Sequence, residues 1–201
     1  MTLRISMVTA NVPYAREKLL HAIIFFTKNT QKCFKLKLFK LLFFLDFGVY
    51  RETGKSVTGL QYFAWPMGPV PTELFEELSR PRNDFQKALS VRAVTKDDPD
   101  SLGGMVILTP KVPFDQSYFT KRELAMMEQL AEIIREVPGR TMTDVSHSAG
   151  QAWQQVYEVE QSPQGHIRYK LALDGKPGSI SEEEAAQIED EGREISALLN
   201  G

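Results

Sequence analysis

Asp144, Ser146 and His147 bring together within four positions the residue types of a hydrolytic site: an acid, a hydroxyl nucleophile and an imidazole base. Their spacing argues against it. On a helix, neighbours one and two apart point away from each other, so Ser146 cannot pass a proton to His147 along that segment. Asp144 and His147, three apart, can pair, but that is equally a local contact at a helix start. Metal binding fares no better. The candidate ligands Cys33, His21, His147 and His166 are scattered, with no Cys-x-x-Cys, His-x-His or His-Glu-x-x-His grouping. Phosphate-cradling glycine loops are missing, and Leu102-Gly103-Gly104 reads as a turn. The sequence thus predicts no catalytic residue, no metal and no cofactor. Asp46 is different. It sits inside an apolar run, where an acid must find hydrogen-bond donors or carry a function of its own.

The elements that hold these residues follow from periodicity. Leu19, Leu20, Ile23, Ile24 and Phe26 form a helical stripe after Pro13. A second helix is expected from about Thr30 to Thr53, capped by Gly54 and apolar nearly all round over "KLLFFLDF", residues 40–47. Lys28, Lys32 and Lys35 share a flank that reads as a solvent face. The β-branched and aromatic stretch 55–65 predicts a short strand or small hairpin around Thr58-Gly59. A turn at Gly68-Pro69-Val70-Pro71 follows, then a helix from about Thr72 to Ser79 that Pro81 ends. Strands are expected at 89–95 and 105–110. Thr120 and Glu123 form a capping box for the next helix, with Phe119 and Leu124 spaced as a hydrophobic staple. A short helix is expected over 143–156, then a hairpin of "VYEVE" and "HIRYKLAL" about Ser162–Gly165. Ser181–Glu184 is a second capping box, opening a helix with a weak stripe of Ile188, Gly192, Ile195 and Leu199. The fold class is α+β and predominantly helical, with helices packed around a small antiparallel sheet or hairpins.

Composition sets the outer limits. The 201 residues are 42% hydrophobic and 25% charged, as in ordinary globular domains, and the net charge of -2 exerts no global pull toward nucleic acid. Residues 1–60 carry ten Lys and Arg against three Asp and Glu, whereas 161–201 carry four against eight. The basic run 28–40 contains no Arg, and a solvated helix face accounts for it better than a nucleic-acid patch. One cysteine excludes an internal disulfide and fits a reducing compartment. Neither apolar stretch, 19–26 nor 36–49, reaches the roughly 20 residues of a membrane span. Cytoplasmic location is the expectation.

The stretch 40–78 resembles the central signature of the Panacea domain, the SocA-like antitoxin family of bacterial and phage toxin–antitoxin pairs. The matching features are Lys40-Leu41-Leu42-Phe43-Phe44, Asp46, Thr58-Gly59, Tyr62-Phe63-Ala64-Trp65 and Gly68-Pro69-Val70. Thr120–Leu124, Ser146-His147 and Trp153 match further along. Phe43 departs from the pattern, which usually has Tyr there. The resemblance covers about residues 16–157. It divides the chain into an N-terminal extension (1–15), the Panacea domain (16–160), and a C-terminal strand with a loosely docked acidic helix (161–201).

The resemblance implies a non-enzymatic, protein-binding function: neutralisation of a cognate toxin encoded alongside. Alternatives are a proteolytic adaptor or chaperone delivering the toxin to a AAA+ protease, a DNA-binding regulator using the Lys28–Lys40 face, and a hydrolase centred on His147. No membrane partner is implied, and nucleic acid is disfavoured. The resemblance marks Phe44, Asp46, Tyr62, Trp65, Gly68, Pro69, Val70, Pro71 and His147 as candidate partner-binding residues. The Gly68–Pro71 turn is expected to be exposed on one side, as an apolar rim.

Overall fold

The protein is described by a computed structural model over residues 12–94, 105–137 and 150–200. Its centre is helix α2, Lys35–Thr53, whose apolar positions are buried around most of its circumference. Leu38, Phe39, Leu41, Leu42, Phe43 and Leu45 are all fully buried. Gly54 ends the helix with φ 68°, the left-handed conformation that favours glycine, and its amide donates to the Tyr50 carbonyl at 2.7 Å. The helix begins later than the periodicity predicts: Thr30 instead ends helix α1, Ala15–Asn29. Its hydroxyl and its amide both return to the Phe26 carbonyl.

Strands β1 (Tyr62–Trp65) and β2 (Gly68–Pro71) form an antiparallel hairpin, and β5 (His166–Ile167) joins on the far side of β1. The expected turn at Gly68–Pro71 is therefore a strand, and Pro66-Met67 makes the turn. Two prolines in a strand are tolerable here for a specific reason. Pro69 and Pro71 lie opposite Ala64 and Tyr62, alternating with the Phe63–Val70 pair. The Ala64 amide and carbonyl bond instead to Gly165 and Gln164 on the β5 side, so no ladder amide is asked of either proline. Of the short strand or hairpin expected within 55–65, a strand forms at the end of the stretch, as β1; no hairpin closes at Thr58-Gly59 because residues 55–61 wrap around Asp46.

Helices α3 (Thr72–Glu77) and α4 (Asn83–Ala88) lead into strands β3 (Leu89–Val94) and β4 (Met105–Pro110), which pair antiparallel from Leu89–Pro110 to Val94–Met105. Buried Glu77 ties these elements to α1. Arg16 donates two hydrogen bonds to Glu77 and two more to Asp84. Burial pushes the Glu77 carboxyl up, but the hydrogen bonds from Arg16 and Arg82 outweigh it and hold the carboxyl below its ordinary value.

Helix α5, Lys121–Ile134, opens with the expected capping box: the Glu123 amide donates to Thr120 Oγ1 at 3.2 Å, and the Thr120 amide donates to Glu123 Oε2 at 2.7 Å. Helix α6 (Gly150–Gln154) runs into a π-helical turn, Gln155–Val159, where the sequence predicts the first strand of a hairpin. The remainder of "HIRYKLAL" is a 3-10 turn at Tyr169–Ala172. Helix α7, Glu182–Asn200, has its capping box at Ser181 and Glu184.

The architecture is α+β and predominantly helical, with small antiparallel sheets. Among the described residues no helix is long and apolar enough to cross a membrane.

Candidate partner-binding site

Asp46 is the hub of the stretch 40–78. It is fully buried, and four donors converge on it. The amides of Val57 and Thr58 reach Oδ1 at 2.8 and 2.7 Å, and the hydroxyls of Thr58 and Tyr62 reach Oδ2 at 2.5 and 2.7 Å. Burial pushes the carboxyl up to about 6 against the pull of these four donors. The hydrogen-bond demand that Asp46 raises in the sequence is therefore met in full, by the irregular segment 55–61 and by β1. Phe43 needs no hydroxyl in this setting. It is fully buried, 4.1 Å from the Phe47 ring and 5.3 Å from the Tyr62 ring.

The Asp46–Tyr62 bond sets the facing of β1. Successive strand residues alternate, so Tyr62 and Ala64 point inward at 1% and 0% exposure, and Phe63 and Trp65 are half-buried on the opposite face. Around those two rings an aromatic ridge forms. Trp65 lies 5.3 Å from Phe75, and Trp153 donates its indole N–H to the Trp65 carbonyl at 3.0 Å. Tyr157 stacks on Trp153 at 4.7 Å, and exposed His166 lies 5.5 Å from Phe63. The Lys35 ammonium sits over the Phe75 ring at 5.1 Å. Pro66, at the hairpin tip, is exposed.

The expected site residues divide accordingly. Phe44, Asp46, Tyr62, Gly68, Pro69, Val70 and Pro71 are buried, and Trp65 is half-buried. His147, with Asp144 and Ser146, lies outside the described residues. The exposed apolar rim expected at Gly68–Pro71 is corrected by its strand position, which leaves Val70 1% exposed. Sequence reading missed Phe63, Phe75, Tyr157 and His166. The alternation within Tyr62-Phe63-Ala64-Trp65 carries the signal for Phe63. Tyr157 was hidden in a predicted strand that is a π turn.

The lysine flank also needs correction. Lys28 and Lys32 are exposed, but Lys35, Lys37 and Lys40 are 5%, 2% and 6% exposed. Lys37 donates to the carbonyls of Gln31 and Arg135, clamping the α1–α2 connection to the end of α5. Burial lowers the pKa of each of the three. A continuous solvated basic face over 28–40 does not form.

Among the described residues no group of His, Cys, Asp and Glu has the arrangement of a metal site. Cys33 is buried, which pushes its thiol up to about 11 and works against thiolate chemistry. His21 accepts from the Asp115 amide at 3.1 Å and stacks on Tyr118 at 5.0 Å. A family model described as Antitoxin SocA-like, Panacea domain, matches residues 38–154, from the first turn of α2 through α6. No curated protein and no solved structure matches the chain.

Proposed function

The chain belongs to the SocA-like antitoxin family with the Panacea domain, and from that premise we propose that it neutralises a cognate protein toxin by direct binding, with no chemistry of its own. The observation that carries the reading is the aromatic ridge. Phe63, Trp65, Phe75, Trp153 and Tyr157 are all half-buried, and the last four pack against the core. Rigid, half-exposed Trp and Tyr side chains bind at little entropic cost, and those residue types dominate interface energetics. The ridge is held from below by Asp46 and from the side by the Trp153–Trp65 bond, so it is shaped before any partner arrives. Trp65 is the candidate contact that the sequence and the geometry share.

The test is co-expression with the protein encoded beside this chain, using growth rescue as readout. Tyr157→Ala together with Met67→Asp alters the ridge and the hairpin tip without touching Asp46. The variant is expected to melt close to the wild type and to lose rescue. Full protection by a folded variant would place toxin contact off the ridge. Immunoblotting of the toxin separates the adaptor alternative: direct binding leaves its level unchanged, whereas delivery to a protease lowers it.

A further inference from the structure

We propose that the outer half of α7 is a second contact element, a helix that lays Ile195 and Leu198 into an apolar groove with a basic rim on the toxin; this rests on the antitoxin reading above. The inner half of α7 is docked on the body. Ala185 is 3% exposed, Ile188 packs so close to Gly54 that a methyl built there would meet it at 3.0 Å, and Glu189 accepts from Tyr50 at 2.7 Å. Beyond Glu189 the packing thins. A methyl built on Gly192 would meet nothing within 4 Å.

The apolar stripe nonetheless continues. Ile195 follows Ile188 by seven residues, on the same face, and is 54% exposed; Leu198, one turn further on, is 84% exposed. Residues 190–200 extend roughly 16 Å past the docked half. A helix of that length is marginal on its own in water, and Gly192 weakens it further. Its apolar face is what a partner groove would cover.

Charge identifies the groove's rim. Residues 182–200 hold seven acidic side chains and one Arg. Exposed Glu191 and Glu194 lie four residues before Ile195 and Leu198, so they flank the apolar pair on the same side of the helix. Like charges so placed disfavour an acidic surface and another copy of this helix, and they favour Lys and Arg. The segment lies outside residues 38–154, the span of the family match.

The experiment titrates the full-length chain into the protein encoded beside it, by calorimetry, at low and high salt. Ile195→Asp with Leu198→Asp should weaken binding about 100-fold with an unchanged melt, since both side chains are exposed in the free protein. Glu191→Lys with Glu194→Lys should weaken it about tenfold at low salt and flatten the salt dependence. If both variants bind like the wild type while the ridge variant does not, this inference is overturned and the antitoxin reading stands. If the wild type itself fails to bind, the antitoxin reading falls and takes this one with it. Normal toxin binding with lost growth rescue would also overturn it, by assigning α7 to a different protein.

Discussion

Replacing Asp46 by Asn tests the hub on which the ridge stands, and the readout is how the effect changes with pH. The two sides of the carboxylate are unlike. Oδ1 faces two backbone amides that cannot turn, whereas Oδ2 faces the hydroxyls of Thr58 and Tyr62, which can accept as well as donate. The carboxamide introduced by Asp46→Asn can therefore keep both amides on its oxygen and donate its NH₂ to the reversed hydroxyls. It loses the charge assistance of the bonds, about 1 kcal/mol each, and regains part of that because no charge is buried. At about pH 7 the net cost should stay below about 2 kcal/mol. Asp46→Ala, which orphans four donors, should cost about 4 kcal/mol or more.

The pH dependence has a definite sign. The folded carboxyl is raised to about 6 from an ordinary 3.8, so the folded state holds its proton more tightly than the unfolded chain. This contribution to stability is fully present below 3.8 and is lost as pH rises through about 6. Linkage between these two values makes the wild type about 1.3 kcal/mol more stable at about pH 5 than at about pH 7, relative to a variant that cannot titrate there. His21 and His166, both lowered by burial, change equally in the two proteins and cancel in the difference. The assay is urea unfolding by circular dichroism, wild type and Asp46→Asn, at both pH values. A difference between them that stays flat across the window would show that Asp46 does not titrate there, and that its donors outweigh burial.

Three further substitutions test the packing of β2 and the start of α5. Val70→Asp should abolish cooperative thermal unfolding, because Val70 is 1% exposed on β2 and a buried unpaired carboxylate costs about 4 kcal/mol or more. A melt near that of the wild type would mean that the strand lies open. At the start of α5, Thr120→Ala should cost about 1 kcal/mol as a lost cap. Glu123→Ala should cost about 3–5 kcal/mol, since Glu123 also pairs with buried Lys18 at 2.7 Å and its removal strands that ammonium. Equal shifts in the urea midpoint would show that the Lys18–Glu123 pair is solvated.

What could be read from the chain depended on whether the signal was local. Capping boxes at Thr120 and Ser181, the glycine stop at Gly54 and the strands from Leu89 and Met105 each sit within a few residues of their cause, and each is found in place. Failures came where a distant partner decided. Lys35, Lys37 and Lys40 read as a solvent face, yet the Phe75 ring and the Arg135 carbonyl lie 40 and 98 residues from the lysines they hold. Gly68–Pro71 reads as a turn by composition and becomes a strand because β1 asks no amide of its prolines. "VYEVE" reads as a strand, but its carbonyls and amides close a π turn instead.

The site was half legible for the same reason. Tyr, Phe and Trp in one stretch serve a core and an interface equally well, and no property of the residue types separates the two roles. Strand parity separates them, and parity has to be anchored by one residue whose direction is known. Asp46 supplies the anchor. A buried acid in α2 needs donors, Tyr62 is an aromatic with a hydroxyl to give, and their bond turns Tyr62 inward. Phe63 and Trp65 then face the other way by the two-residue period alone. Asp46 thereby determines which aromatics of β1 stand half-exposed, although none of its own atoms is exposed. A substitution at Asp46 that leaves the chain folded should consequently disturb binding through the tilt of β1, and this effect should appear even at about pH 7, where the stability gap to the wild type is narrower than at about pH 5.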